Sequence, residues 1–149
     1  MNLEHLFTLR ALVGESQTAN QGPYGDRRYM PVSGGEFTGK HLSGTLLPGG
    51  ADCQLVRTDH VAELDVRIML QENDGTRFLL RGLGLRHAYP KALQRPGKND
   101  TTEPPGIYFR QSFHFECPPG DHAWLNGILA IGTGHRDEQG VLIEVFEVP

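Results

Sequence analysis

The run Ile107-Tyr108-Phe109-Arg110-Gln111-Ser112-Phe113-His114-Phe115-Glu116 alternates strictly, and in a strand that alternation puts Tyr108, Arg110, Ser112, His114 and Glu116 on one face. Turned into a cavity, this face would carry an acid, a base and an anion-binding group on one rigid element. Turned to water, it is an ordinary polar outer face. Tyr108 and Arg110 have the most chemical reach, as a phenolic proton donor and a guanidinium able to stabilise an oxyanion. Two aspartates offer the carboxylate such chemistry needs. Asp52 follows the turn Leu47-Pro48-Gly49-Gly50-Ala51 and opens the next strand, where it either closes an Asx turn or faces a ligand from a barrel rim. Asp65 stands two residues before Arg67 in a long alternating run, so the two share a face.

What Asp65 and Arg67 face depends on the hairpin around Asn73-Asp74-Gly75, where Asp-Gly supplies the positive φ angles of a tight turn. With Asp74-Gly75 as a two-residue loop, Asp65 lies opposite Gly84 and Arg67 opposite Gly82. A three-residue loop would place Arg67 opposite Arg81, and directly opposed like charges are unfavourable, so the two-residue register is expected. Gly82 and Gly84 would then clear space in an interior for a ligand held by Asp65 and Arg67. The alternative is that Leu64, Val66, Ile68 and Leu70 fill the core while Asp65 and Arg67 meet solvent.

Further along, Trp124-Leu125-Asn126 carries the single Trp, which is either core or the aromatic wall of a ligand pocket with Asn126 as a hydrogen-bonding neighbour. His114, Glu116 and His122 are close in sequence, but their spacing matches no metal-ligand motif, so no metal is expected. There is no G-x-S-x-G for a serine hydrolase. Gly35-Glu36-Phe37-Thr38-Gly39-Lys40-His41 is one residue short of a phosphate loop and lacks Ser or Thr after the Lys, so it reads as turn chemistry and no cofactor is implied.

The elements that must position these residues are strands. Ten short runs rich in β-branched and aromatic residues alternate with Gly, Pro, Asp and Asn clusters, and no segment has a helical pattern. They are Leu3 to Val13, Arg28 to Val32, Glu36 to Thr38, His41 to Leu47, Cys53 to Arg57, Val61 to Glu72, Thr76 to Arg86, Ile107 to Glu116, Gly127 to His135 and Val141 to Val148. Without intervening helices, antiparallel pairing in a sandwich or barrel is favoured. Gly accounts for 19 of 149 residues, and the glycines between Gly34 and Gly50 fall within strand-like sequence, as expected of bent strands in a small barrel. The expectation is an all-β single domain spanning residues 1–149, a single antiparallel β-barrel with bent, Gly-rich strands. Two stretches read as long loops, Gly14 to Gly25 and His87 to Gly106.

The net charge of −4 is carried by scattered residues, which argues against nucleic acid and polybasic membrane binding. The N-terminus lacks the apolar core of a signal peptide, and no stretch approaches a membrane span. With only Cys53 and Cys117 there is no disulfide framework, so a cytoplasmic protein is expected, a single Cys53–Cys117 bridge being the alternative.

Val32-Ser33-Gly34-Gly35 with Gly39, the segment from Gly44 through Leu47-Pro48-Gly49-Gly50-Ala51-Asp52, Leu64-Asp65-Val66-Arg67, Asn73-Asp74-Gly75, Tyr108-Phe109-Arg110 and Trp124-Leu125-Asn126 together resemble the domain-of-unknown-function family numbered 3237. The resemblance runs from Leu3 to Val148 and implies a β-barrel rather than a sandwich. It carries no activity. It does mark Asp52, Asp65, Arg67, Tyr108, Arg110, Trp124 and Asn126 as the polar and aromatic positions that repeat in the family. Cys53 departs from the pattern, which has Trp there, so one pocket wall would differ.

Two functions follow as expectations. The first is a cofactor-independent isomerase, lyase or hydrolase in which Asp52 or Asp65 is the base, Tyr108 the acid, and Arg67 or Arg110 the oxyanion partner. The second is a non-catalytic carrier or sensor of a small apolar or aromatic acid, with Trp124 as a wall and an Arg as anchor. In both, the partner is a small organic ligand. An apolar strand face turned outward would instead serve a homodimer.

Overall fold

The computed structural model describes residues 1–88 and 106–149. Ten strands form one antiparallel sheet: β1 (Glu4–Val13), β2 (Gln17–Gly22), β3 (Gly25–Thr38), β4 (Ser43–Leu46), β5 (Ala51–Val56), β6 (Ala62–Glu72), β7 (Arg77–Ala88), β8 (Ile107–Glu116), β9 (Leu129–Asp137) and β10 (Gly140–Val148). Among the described residues there is no α-helix, only a short 3₁₀ turn at Ala123–Gly127.

The sheet closes on itself. Its circuit runs β1-β10-β9-β8-β7-β6, passes through β4 and β5, which share one position end to end, and returns through β3 to β1. The result is a closed eight-strand barrel with β2 laid on the first part of β3. Closure removes the open edges that would otherwise invite other chains to pair. The expected barrel is therefore present.

Two local expectations are corrected. The Gly14 to Gly25 stretch contains β2, whose polar residues Gln17, Thr18 and Asn20 carry little apolar patterning because the strand is exposed throughout. The runs Arg28 to Val32 and Glu36 to Thr38 are one strand, carried through Gly34 and Gly35 at φ of 152° and 140°. A side chain at Gly35 would meet the Arg10 carbonyl at 2.0 Å, so the close passage of β1 over β3 requires glycine there. The His87 to Gly106 loop lies largely outside the described residues, and His87 and Ala88 end β7.

The hairpin register is also corrected. Glu72 donates its N–H to the Thr76 carbonyl and Gly75 donates to the Glu72 carbonyl, so Asn73-Asp74-Gly75 is a three-residue loop with Gly75 at φ 92°. Arg67 does stand opposite Arg81. Both side chains lie on the exposed face, where water screens the repulsion that was expected to forbid this register.

One end of the interior is a closed apolar plug. Phe7, Phe37, Phe78 and Phe115 pack edge to face with ring centroids 5.4 to 6.2 Å apart. Such pairs each add about 0.5–1.5 kcal/mol beyond simple burial. Leu125, from the 3₁₀ turn, is fully buried in the same cluster.

Candidate functional site

The opposite end, among the described residues, is open and polar. Inward-facing positions follow the parity of each strand, so the residues continuing Met30 and Val32 on β3, Gly82 and Gly84 on β7, and Gly132 and Gly134 on β9 are Arg28, Arg86 and Arg136. All three line a mouth of about 580 Å³, together with Val56, Ala62, Phe109 and the histidines His60, His87 and His135. Below it lies an inner chamber of about 50 Å³, walled by Leu9, Val32, Ile68, Leu80 and Ile143 among others, with Asp52, Gln54, Arg86, Gln111 and Arg136 as its polar lining.

Asp52 lines the inner chamber, and the β5–β6 ladder breaks beside it. Pairing holds at Asp52↔Val66 and resumes at Leu55↔Glu63, and in the gap the Asp65 backbone N–H donates to Asp52 Oδ1 at 3.0 Å. Gln54 Nε2 donates to Asp52 Oδ2 at 2.8 Å, and Arg86 Nη2 donates a long 3.5 Å bond to Gln54 Oε1. Burial raises the Asp52 carboxyl above the usual aspartate range, while the two hydrogen bonds and the Arg86 charge act in the opposite sense. Arg86 packs its guanidinium 6.0 Å from the Phe109 ring centre. Its acidity is increased by burial first, then by the charges of Arg136 and Arg28, with Asp52 opposing. Among the described residues no carboxylate forms an ion pair with Arg28, Arg86 or Arg136. The mouth is thus a concentration of positive charge beside one half-buried carboxylate.

Of the residues singled out from sequence, Asp52 is the one that reaches this cup. Asp65 and Arg67 point outward, 50% and 63% exposed, and lie 4.0 Å apart. The room at Gly82 and Gly84 is taken by β8: a side chain at Gly82 would meet the Phe113 ring at 2.6 Å, and one at Gly84 would meet Gln111 Cγ at 2.5 Å. Tyr108 and Arg110 also stand on the outer side of the wall, the Arg110 guanidinium 5.2 Å from the Tyr108 ring, which stacks on His87 at 4.7 Å. They border an external groove with Leu85 and Ile131. The alternation of β8 is as expected, but its inward face is Phe109, Gln111, Phe113 and Phe115.

Trp124 and Asn126 belong to the plugged end. Trp124 is exposed, and Asn126 clasps the Cys117 backbone, accepting from its N–H at 2.7 Å and donating to its carbonyl at 2.9 Å. Cys53 lies on the outer face beside Tyr29, so the departure at this position does not alter the interior. Both cysteines are free thiols. His122 bonds Asp74 at 2.8 Å and groups with Asp74 and Glu72, their polar atoms within 4.8 Å of one another, rather than with His114 and Glu116. No helix among the described residues is long and apolar enough to cross a membrane. The arginines of the mouth and Gln111 were missed because they are scattered along the chain; strand parity extended past the glycines would have found them.

The model of the family described as "Protein of unknown function (DUF3237)" matches residues 1–148. The chain belongs to this family. A UPF0311 protein of Rhodopseudomonas palustris is 30% identical over 148 residues, covering 99% of this chain and 97% of its own. A "PR-toxin biosynthesis cluster protein 7" of Penicillium roqueforti is 27% identical over 149 residues, covering 87% of this chain and 80% of its own. Among solved structures, a beta-barrel like protein of Acinetobacter baumannii superposes with a TM-score of 0.86 at 29% identity, covering 99% and 96% of the two chains. A protein of Penicillium herquei described as an enzyme shares the fold, with a TM-score of 0.75 at 19% identity over 99% and 94% of the chains.

Proposed function

We propose that this DUF3237 protein is a small-molecule barrel whose open cup binds an organic anion and moves a proton on it. The observation that carries the reading is the position of Asp52, a half-buried carboxylate held by hydrogen bonds in the inner chamber, where Arg86 and Arg136 from the mouth also reach. Asp52 would take a proton from a carbon next to a carbonyl, and the Arg86 charge would offset the negative charge that develops on the ligand. That set fits a cofactor-independent isomerase, lyase or hydrolase. The Penicillium roqueforti relative, named for a toxin biosynthesis cluster, supports a role on small organic molecules, and the Penicillium herquei structure shows that the fold houses an enzyme elsewhere.

The carrier reading draws support from the walls of the inner chamber, where Leu9, Met30, Val32, Ile68, Leu80 and Ile143 are apolar. One experiment separates the two. Crystals soaked with a mixture of small keto and aromatic acids should show density between Asp52 and Arg86, and solvent deuterium should exchange into the captured acid about 100-fold or more slowly with Asp52→Asn. Density without exchange selects the carrier; no density in the cup removes both.

The free thiols support a reducing compartment, for which we propose the cytoplasm. Leu83, Leu85 and Ile131, exposed on the outer wall, are where a homodimer would form.

A further inference from the structure

Gln111 is 4% exposed, and among the described residues neither its Nε2 nor its Oε1 has a hydrogen-bond partner. Buried amides are nearly always paired, and an exception beside a chamber points to something that enters it. The side chain occupies the room left by Gly82 and Gly84, its Nε2 and Cγ lying where their side chains would be. It lines the inner chamber of about 50 Å³, roughly a third of the ~150 Å³ cavity known to admit benzene, so only a slender group fits. On the β7–β8 ladder Gln111 pairs with Gly84 and Phe109 with Arg86. Gln111 is therefore two residues, about 7 Å, deeper than the arginine level.

We propose that Gln111 determines specificity by reading a second polar group of the ligand. The ligand class is then a slender organic acid whose anionic group rests against Arg28, Arg86 and Arg136 and whose carbonyl or hydroxyl oxygen, about 5–6 Å away, reaches Gln111. This rests on the reading of the cup as an anion site. A carbonyl accepts from Nε2 and a hydroxyl donates to Oε1, so either satisfies the amide.

The test is calorimetric titration of the full chain with 4-oxopentanoate and with its shape-matched apolar counterpart 4-methylpentanoate. The wild type should bind the oxo acid about tenfold more tightly or better. Gln111→Met should bind the two within about threefold, with 4-methylpentanoate no weaker than in the wild type. Equal affinities in the wild type overturn the role of Gln111 and leave the anion cup standing. Failure of both acids to bind at millimolar concentration overturns both readings, and a preference that survives in Gln111→Met overturns the inference alone. Should that variant not fold, the wild-type Gln111 side-chain amide resonances decide the matter: they should move with 4-oxopentanoate and stay fixed with 4-methylpentanoate, and equal movement overturns the inference.

Discussion

Asp52 and Asp65 meet across a break in the β5–β6 ladder and face opposite ways: Asp52 Oδ1 accepts the Asp65 N–H from inside the barrel, while the Asp65 carboxylate stands outside beside Arg67. Two aspartates joined by one hydrogen bond should therefore behave differently on substitution. Asp65→Asn keeps the backbone N–H and changes only an exposed side chain, so stability should stay within about 0.5 kcal/mol and ligand binding should be unchanged. Asp52→Asn should abolish proton exchange on a bound acid. Paired denaturation and exchange measurements check both.

The pH dependence of Asp52→Asn has a definite sign. Burial raises the folded-state carboxyl above its ordinary 3.8, so the folded protein keeps a proton that the unfolded chain has released. Asp52 thus adds stability below that value and loses it as pH rises through its raised pKa. Asparagine does not titrate. The melting temperature of the variant relative to wild type should climb from pH 3.8 upward and level off above the Asp52 transition. A difference that is flat or falls across this range contradicts the account.

Asn126 ties the 3₁₀ turn to the Cys117 backbone through two hydrogen bonds. Asn126→Ala removes both bonds to the Cys117 backbone and should cost about 1–3 kcal/mol, with affinity for organic acids unchanged once the protein is folded. Urea titration and acid binding on the same variant check the two halves.

Gly134→Ala should be costly for a steric reason. Its new carbon would lie 2.3 Å from Phe109 Cδ1, and Phe109 in turn supports Arg86. The expected loss is about 1–3 kcal/mol, accompanied by weaker acid binding as the guanidinium loses its platform. The same substitution at Gly120 meets no atom within 4 Å, but its φ of 141° still disfavours a side chain, so it serves as a comparison for backbone strain without ring displacement.

How much of this was legible in the sequence depended on whether the signal was local. Strand alternation and turn residues are local, and they gave the all-β class and the turn at Asn73-Asp74-Gly75 directly. The barrel came from the family resemblance. The hairpin register is not local in this sense: Arg67–Arg81 repulsion disfavours it only if the charges are unscreened, and both groups stand in water. The face of β8 was ambiguous because its polar residues fit either orientation; the glycines of β7 and β9, which make room for Phe109, Gln111 and Phe113, are what turn it. Arg28, Arg86 and Arg136 are distant in sequence and adjacent only after closure, so no spacing announces them.

The central claim is that small organic acids bind within the cup and not in the outer groove beside Tyr108 and Arg110. Nitrogen-15 spectra of the arginine side chains, recorded while 4-oxopentanoate is added, test it most directly. The account predicts saturable shifts at Arg28, Arg86 and Arg136 with Arg67 and Arg110 unmoved; shifts confined to Arg110, or to Arg67 on the outer wall, would contradict it.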